Sequence, residues 1–202
     1  AVGADPMRVV LSKQVHEPNV RLVTGADAGK GLWRERDYQS VDAMICNTPN
    51  LPLVVFSADC GIILLHDPVH AAVGAVHAGW RGAAQGLASI ALRRMGEVFG
   101  THPADVRAAI GAGIGPCCFE TDGDVPQAMR AALGAAADPY IEQRGAKWHV
   151  DLKGINAHWL RADGVEQIDV CAHCTACRPD LYWSHRRMGN ARGAQIAMIA
   201  LR

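Results

Sequence analysis

The 202-residue sequence has no surplus of charge: 20 Lys and Arg balance 20 Asp and Glu. A protein that holds nucleic acid or an acidic membrane surface through a basic stripe carries a cationic excess, so neither partner is expected. No apolar run approaches the roughly 18 residues of a membrane-spanning helix. Residues 1–8 also lack the charged-then-apolar order of a secretory leader. Internal repeats, low-complexity tracts and long Pro, Ser or Gly linkers are missing as well. Nothing divides the chain, and one domain over residues 1–202 is the simplest reading. With 50% hydrophobic and 20% charged residues, the composition lies far from that of disordered chains. The expectation is a cytoplasmic protein with a sizeable core, monomeric or a small homo-oligomer.

What the sequence does hold is seven Cys and nine His. An odd number of Cys cannot pair completely, and a chain of this size needs no disulfide framework. Buried Cys can act as small hydrophobes; the alternative is a metal or thiol site.

Short apolar runs at 53–57, 61–65 and 71–76 read as buried strands, the first two separated by Ala58-Asp59-Cys60. The third leads into His77-Ala78-Gly79-Trp80-Arg81-Gly82. From 83 to 99, apolar residues at 84, 87, 88, 91, 92, 95, 98 and 99 follow the helical period. His77 thus lies at a strand end just before a helix. A strand at 106–110 precedes a glycine-rich stretch, 111–116, and then Cys117-Cys118-Phe119-Glu120. Asp124 is read as the cap of a helix reaching about residue 137, with Pro126 in its first turn. Asp151 caps a second helix, 152–162, with Gly164 beyond its end. Strands at 168–171 and 194–201 complete the reading. No G-x-G-x-x-G or Walker motif occurs at a strand-to-helix junction, so a doubly wound nucleotide-binding fold is not indicated.

Three constellations could carry chemistry. Cys60 and, 17 residues later, His77 lie at strand ends, where a thiolate and an imidazole could share a zinc ion. Two ligands do not make a site; His16, His66 and His70 are the candidates for a third, and spacing does not choose among them. The turn around Asp67-Pro68 favours solvated roles for His66 and His70. The second constellation, Cys171-Ala172-His173-Cys174-Thr175-Ala176-Cys177, resembles half a zinc ribbon. No second knuckle follows it, Cys117 and Cys118 being adjacent rather than spaced, so packing thiols are the preferred reading. The third, Ser184-His185-Arg186-Arg187 after Tyr182-Trp183, could grip a phosphate or carboxylate, or could be a solvated charged loop. Arg81, at a helix start, is the better anion candidate.

Taken in order, Lys13-Gln14-Val15-His16, Ser57-Ala58-Asp59-Cys60, the stretch from Gly74 through His77 to Gly82, Ile114-Gly115-Pro116-Cys117-Cys118-Phe119-Glu120, the stretch from Lys147 to Leu152, Cys174-Thr175-Ala176-Cys177 and Ser184-His185-Arg186-Arg187 resemble the bacterial YfiH/YlmD family. That family is described as purine nucleoside phosphorylase or peptidoglycan-editing, and earlier as multicopper polyphenol oxidase (laccase). The resemblance implies an α+β fold of mixed β-sheets packed with outer helices, a layered α/β/β/α arrangement. It implies that His16, Cys60 and His77 bind one metal, zinc with copper as the alternative, leaving a fourth position open. The implied substrates are small: a purine nucleoside and phosphate. The implied reactions are phosphorolysis of adenosine, inosine, guanosine or methylthioadenosine and deamination of adenosine to inosine, with Arg81 helping to orient phosphate.

One further role attributed to the family keeps another reading open: hydrolysis of a mis-incorporated amino acid from a muramyl precursor, by the metal or by a Cys60 nucleophile with His77 as base. A non-enzymatic domain whose metal only staples the fold is disfavoured, because three ligands leave an open position and a chain of this size needs no staple. Laccase chemistry is disfavoured by the residues themselves. A trinuclear copper centre needs several His-x-His pairs, and the sequence contains none. Beside the ligands, Asp59 is read as an orienting partner of a ligand His or a turn residue, and Glu120 as a general base or a helix cap. Trp80 is read as a purine stack or core, and Cys117 and Cys118 as packing groups bordering the site. Family members usually carry a longer segment ahead of the Gln-Val-His motif, and here 15 residues precede His16. A missing upstream segment is therefore expected. The stretch 17–42 is longer than common and is expected to alter the pocket rim.

Overall fold

The structure, a computed structural model, describes residues 3–202. In chain order, β1 (Val10–Leu11), β2 (Val20–Leu22) and β3 (Ala43–Cys46) precede β4 (Leu53–Ser57), β5 (Gly61–Asp67) and β6 (Ala72–Ala78). Helices α1 (Trp80–Ala84) and α2 (Leu87–Phe99) follow, then β7 (Arg107–Ile110), β8 (Glu120–Thr121) and α3 (Asp124–Leu133). The chain ends with β9 (Ile141–Arg144), β10 (Lys147–Val150), α4 (Leu152–Ala162), β11 (Gln167–Val170), α5 (His185–Met188) and β12 (Gln195–Ile199).

The three apolar runs form β4, β5 and β6, and every residue of β6 is buried. Such a strand needs cover on both faces. It lies inside a six-stranded mixed sheet, ordered β11-β7-β5-β6-β3-β2. One face takes α2 and α4 through Leu87, Leu92, Met95 and Leu160. The other faces a three-stranded sheet, β1-β4-β12, across Met44, Leu53, Val55 and Val73. A third sheet, β8-β10-β9, closes over α1 and α3 with Met129, Val150 and Ile155 between them. The fold is thus α+β with mixed sheets. Its main layers run helix, six strands, three strands, with Ile196 on β12 exposed on the outer face of the smaller sheet.

Local chemistry explains where elements depart from the periodic reading. The helical pattern at 83–99 breaks at Gly86, which is left-handed (φ +65°) and packed so closely on Trp159 that a Cβ would meet its ring at 3.2 Å. Trp159 Nε1 also donates to the Ala83 carbonyl at 2.9 Å, drawing the end of α1 towards α4. Gly123, not Asp124, occupies the cap of α3, and Asp124 is its first helical residue. α3 stops at Leu133, and the chain continues to Tyr140 as a 3-10 helix containing Pro139. Asp151 caps α4 as expected, accepting from the Gly154 amide at 3.0 Å.

β4 and β5, neighbours in sequence, belong to different sheets. The corner between them, 58–60, carries the chain from one sheet to the other, with Asp59 at φ +86° and the Ser57 hydroxyl donating to the Cys60 carbonyl at 2.6 Å. That crossing sets Cys60 at the common edge of two sheets.

Candidate metal centre and its pocket

Three segments converge at that edge. His77 comes from β6, Cys60 from the corner, and His16 from the loop after β1, held at φ +66°. A non-glycine residue there is strained, and strain of this kind persists only where surrounding contacts enforce it. The enforcing group is Asp42, fully buried just before β3. Its carboxylate accepts the backbone N–H of Val15 (2.8 Å), His16 (3.1 Å) and Glu17 (3.3 Å), and also His77 Nδ1–H at 2.8 Å. One carboxylate therefore folds the His16 loop and fixes the His77 tautomer, leaving Nε2 free as a donor to a metal.

The donor atoms of His16, Cys60 and His77 all lie within 4.8 Å of one another, Cys60 Sγ standing 3.8 Å from His16 Nε2. Tetrahedral zinc with ordinary Zn–N and Zn–S bonds separates such donors by about 3.3–3.6 Å. Space is reserved as well: a Cβ on Gly79 would sit 2.9 Å from both Cys60 Sγ and His16 Cδ2. The residues present thus fit a divalent metal in kind, number and spacing. His66 and His70 do not join them. Both lie towards the far end of β5, His66 about 20 Å along the strand, and His70 Nδ1 is bound to Asp67 at 2.8 Å.

The electrostatics favour the Cys60 thiolate, whereas His77 must lose its proton before it can hold a metal. Burial pushes the Cys60 thiol up, but the His16 and His77 imidazoles outweigh it and bring the group down to about 6. Burial lowers His77, yet Asp42 and Cys60 together raise it to about 9. Without a metal the pair is a thiolate beside an imidazolium. Burial likewise raises Asp42, and the bonds from His77 and the Val15 and Glu17 amides reverse this, holding it below the usual carboxylate range.

Beside the triad lies a cavity of about 350 Å³ with Trp80, Ile114, Phe119 and Leu152 as apolar walls, Arg186 and Arg192 as its cationic side and His185 beside them. This is the usual composition of a small-molecule site. Arg186 is fixed by donating through Nη1 to the Cys118 carbonyl (3.0 Å) and through Nη2 to the Glu120 carbonyl (2.8 Å). Arg192 Nε leans on His185 Nδ1 at 3.3 Å.

Several expectations are corrected. Asp59 orients no ligand His: its two oxygens accept from the Thr175 hydroxyl, the Ser184 hydroxyl (3.0 Å) and the Arg186 amide (2.6 Å), so it ties the C-terminal loop to the metal corner. Arg81 is not among the cavity walls; its guanidinium stacks over Trp80, 4.3 Å from the ring centroid. Glu120 is exposed, its carboxylate 3.8 Å from His149 Nε2 and outside the cavity. None of residues 17–42 lines the cavity directly, and the stretch bears on it through the His16 loop. Its contribution is Asp42, which sequence reasoning missed, as it missed Arg192. Their only signals were a lone acid before a short strand and an arginine in a loop.

A mixed-sheet α+β protein with a two-His, one-Cys metal-binding group at the wall of a largely apolar cavity is the class that fold and site define. The chain belongs to the YfiH/YlmD family: residues 1–202 match the profile described as "Multi-copper polyphenol oxidoreductase laccase". Purine nucleoside phosphorylase YlmD of Bacillus subtilis (strain 168) is 34% identical over 200 residues, 96% of this chain and 70% of that protein. Purine nucleoside phosphorylase YfiH of Escherichia coli (strain K12) is 32% identical over 187 residues, 93% of this chain and 72% of that one. Among solved structures, YfiH of Bacillus licheniformis superposes with a TM-score of 0.93 at 32% identity, over 100% of this chain and 77% of its own. YlmD of Geobacillus stearothermophilus gives 0.90 at 32% identity, over 97% and 74%.

Proposed function

We propose that this protein is a zinc-dependent purine nucleoside phosphorylase that also deaminates adenosine. The observation that carries the reading is the union of the His16-Cys60-His77 group with one cavity whose walls are apolar and aromatic and whose remaining side is cationic. A divalent metal there supplies Lewis acidity and lowers the pKa of water towards about 7. The chain's own residues supply the rest. Trp80 and Phe119 take the faces of the base. Arg186, Arg192 and His185 hold phosphate, two guanidiniums being suited to a dianion. Phosphorolysis then forms a bond from a phosphate oxygen to ribose C1′ and breaks the C1′–N9 bond, whose electron pair leaves with the purine. In deamination, water adds at C6 and ammonia departs.

The relatives' names support the phosphorylase reading, and the family's laccase description is not followed. The two metal-binding groups among the described residues are His16-Cys60-His77 and a four-cysteine cluster, and neither supplies the histidines of a trinuclear copper centre. One observation favours a second reading: thiolate Cys60 beside imidazolium His77 is also the ground state of a cysteine hydrolase, which would suit cleavage of a peptidoglycan precursor.

Metal content by elemental analysis, followed by incubation of the holo-protein with adenosine and phosphate, tests the proposal. Adenine and ribose 1-phosphate should appear only with phosphate, and inosine without it. Absence of all three products from metal-loaded protein would overturn the reading and transfer the test to a muramyl peptide substrate.

A further inference from the structure

The cysteines read from sequence as packing thiols are gathered in a second place. Cys117 and Cys118 lie in the loop after β7, and Cys174 and Cys177 in the loop after β11; these two strands are parallel neighbours, so their following loops leave the sheet side by side. The four sulfurs lie within 4.8 Å of one another, Cys177 Sγ standing 3.6 Å from Cys117 Sγ and 3.4 Å from Cys118 Sγ. All four are free thiols. Four sulfurs around a tetrahedral zinc at about 2.3 Å would be separated by about 3.8 Å.

The backbone is built round these sulfurs. The Gly115 amide donates to Cys174 Sγ at 3.2 Å. A buried sulfur that receives a backbone N–H is arranged as a hydrogen-bond acceptor. A Cβ on Gly115 would stand 3.2 Å from Cys174 Cβ and 3.3 Å from Cys117 Sγ, so a side chain there would crowd the cluster. Arg186, Arg187 and Glu120 line the shallow groove over Cys117 and Cys118. The knuckle missing from sequence is the adjacent pair, brought opposite Cys174 and Cys177 from about 60 residues away.

We propose that Cys117, Cys118, Cys174 and Cys177 bind a second metal ion, a structural zinc held by four thiolates. It clamps the two loops that carry the cavity wall. Cys118 offers its carbonyl to Arg186, and Phe119, the next residue, lines the cavity. The site is closed and takes no part in bond making, so it stands or falls independently of the proposed activity.

The experiment counts metal. Wild-type protein reconstituted with zinc should hold two ions per chain, the His77→Ala variant one, and the Cys117→Ser/Cys177→Ser variant one. Cobalt bound to His77→Ala protein should show the intense thiolate charge-transfer bands of a four-sulfur site. In unmutated protein, zinc should protect Cys117 and Cys177 from iodoacetamide although both are exposed; peptide mapping reads this even where the double variant does not fold. A His77→Ala protein that takes up no zinc, iron in place of zinc, or alkylation of Cys117 and Cys177 unaffected by zinc would each overturn the proposal.

Discussion

At the residue scale, the centre depends on a group that would never contact the metal. Asp42 satisfies three backbone amides and one imidazole from complete burial. Replacing Asp42 by Asn removes the charge that accepts these four donors. Metal affinity should fall by about 10–100-fold, the usual cost of losing a ligand's supporting partner, as read by competition with a chromophoric chelator. Gly79→Ala should act by volume instead: a methyl 2.9 Å from Cys60 Sγ and His16 Cδ2 must displace a ligand. The expected result is a folded protein that retains less zinc; full retention would show that the corner can shift. Cys60 itself should report its surroundings. In metal-free protein its alkylation by iodoacetamide should be half-maximal near pH 6 rather than near the ordinary 9.0, and added zinc should suppress it. A rate that rises only above pH 8 would mean that the imidazoles do not hold the thiolate.

At the element scale, the legible parts were those whose signal lies within a few residues. β4, β5 and β6 showed as apolar runs, and α4 showed both a period and a capping aspartate. β3 was missed because it is only Ala43–Cys46, and the β9–β10 hairpin because β9 is largely polar and exposed and β10 is only four residues long. His16 could not be chosen from spacing; the resemblance chose it, because its link to His77 runs through Asp42, 35 residues from His77. The segment between β2 and β3 has its own anchor. Asp27 is buried, and although burial raises its pKa, Lys30, the Thr24 amide and Arg21 bring it down to about 2 from the ordinary 3.8. A carboxylate depressed in the folded state adds stability above its ordinary pKa and loses that contribution as pH falls through about 2. Between about pH 4 and pH 2 the wild type should therefore lose stability more steeply than Asp27→Asn, which is less stable at pH 7. Denaturant titrations across that range test both statements, and equal slopes would remove Asp27 from the account.

At the scale of the whole molecule, buried clusters hold the layers together, and the His-Cys-His group sits where two sheets meet, with His77 on β6 and Cys60 and His16 on loops. His77→Ala should accordingly keep the far-UV circular dichroism of the wild type while abolishing turnover. Unfolding of that variant at 25 °C would instead assign the metal a structural role. Asp59 gives the cavity a further property, one of timing. Its partners Thr175, Ser184 and Arg186 lie 116, 125 and 127 residues further along the chain. Closing loops of that length is entropically late and slow. During synthesis, His16, Cys60 and His77 leave the ribosome together with Asp42 long before Ser184 exists. A growing chain can thus assemble its metal ligands early, yet the cavity gains its Arg186 side only once residues 175–186 have followed.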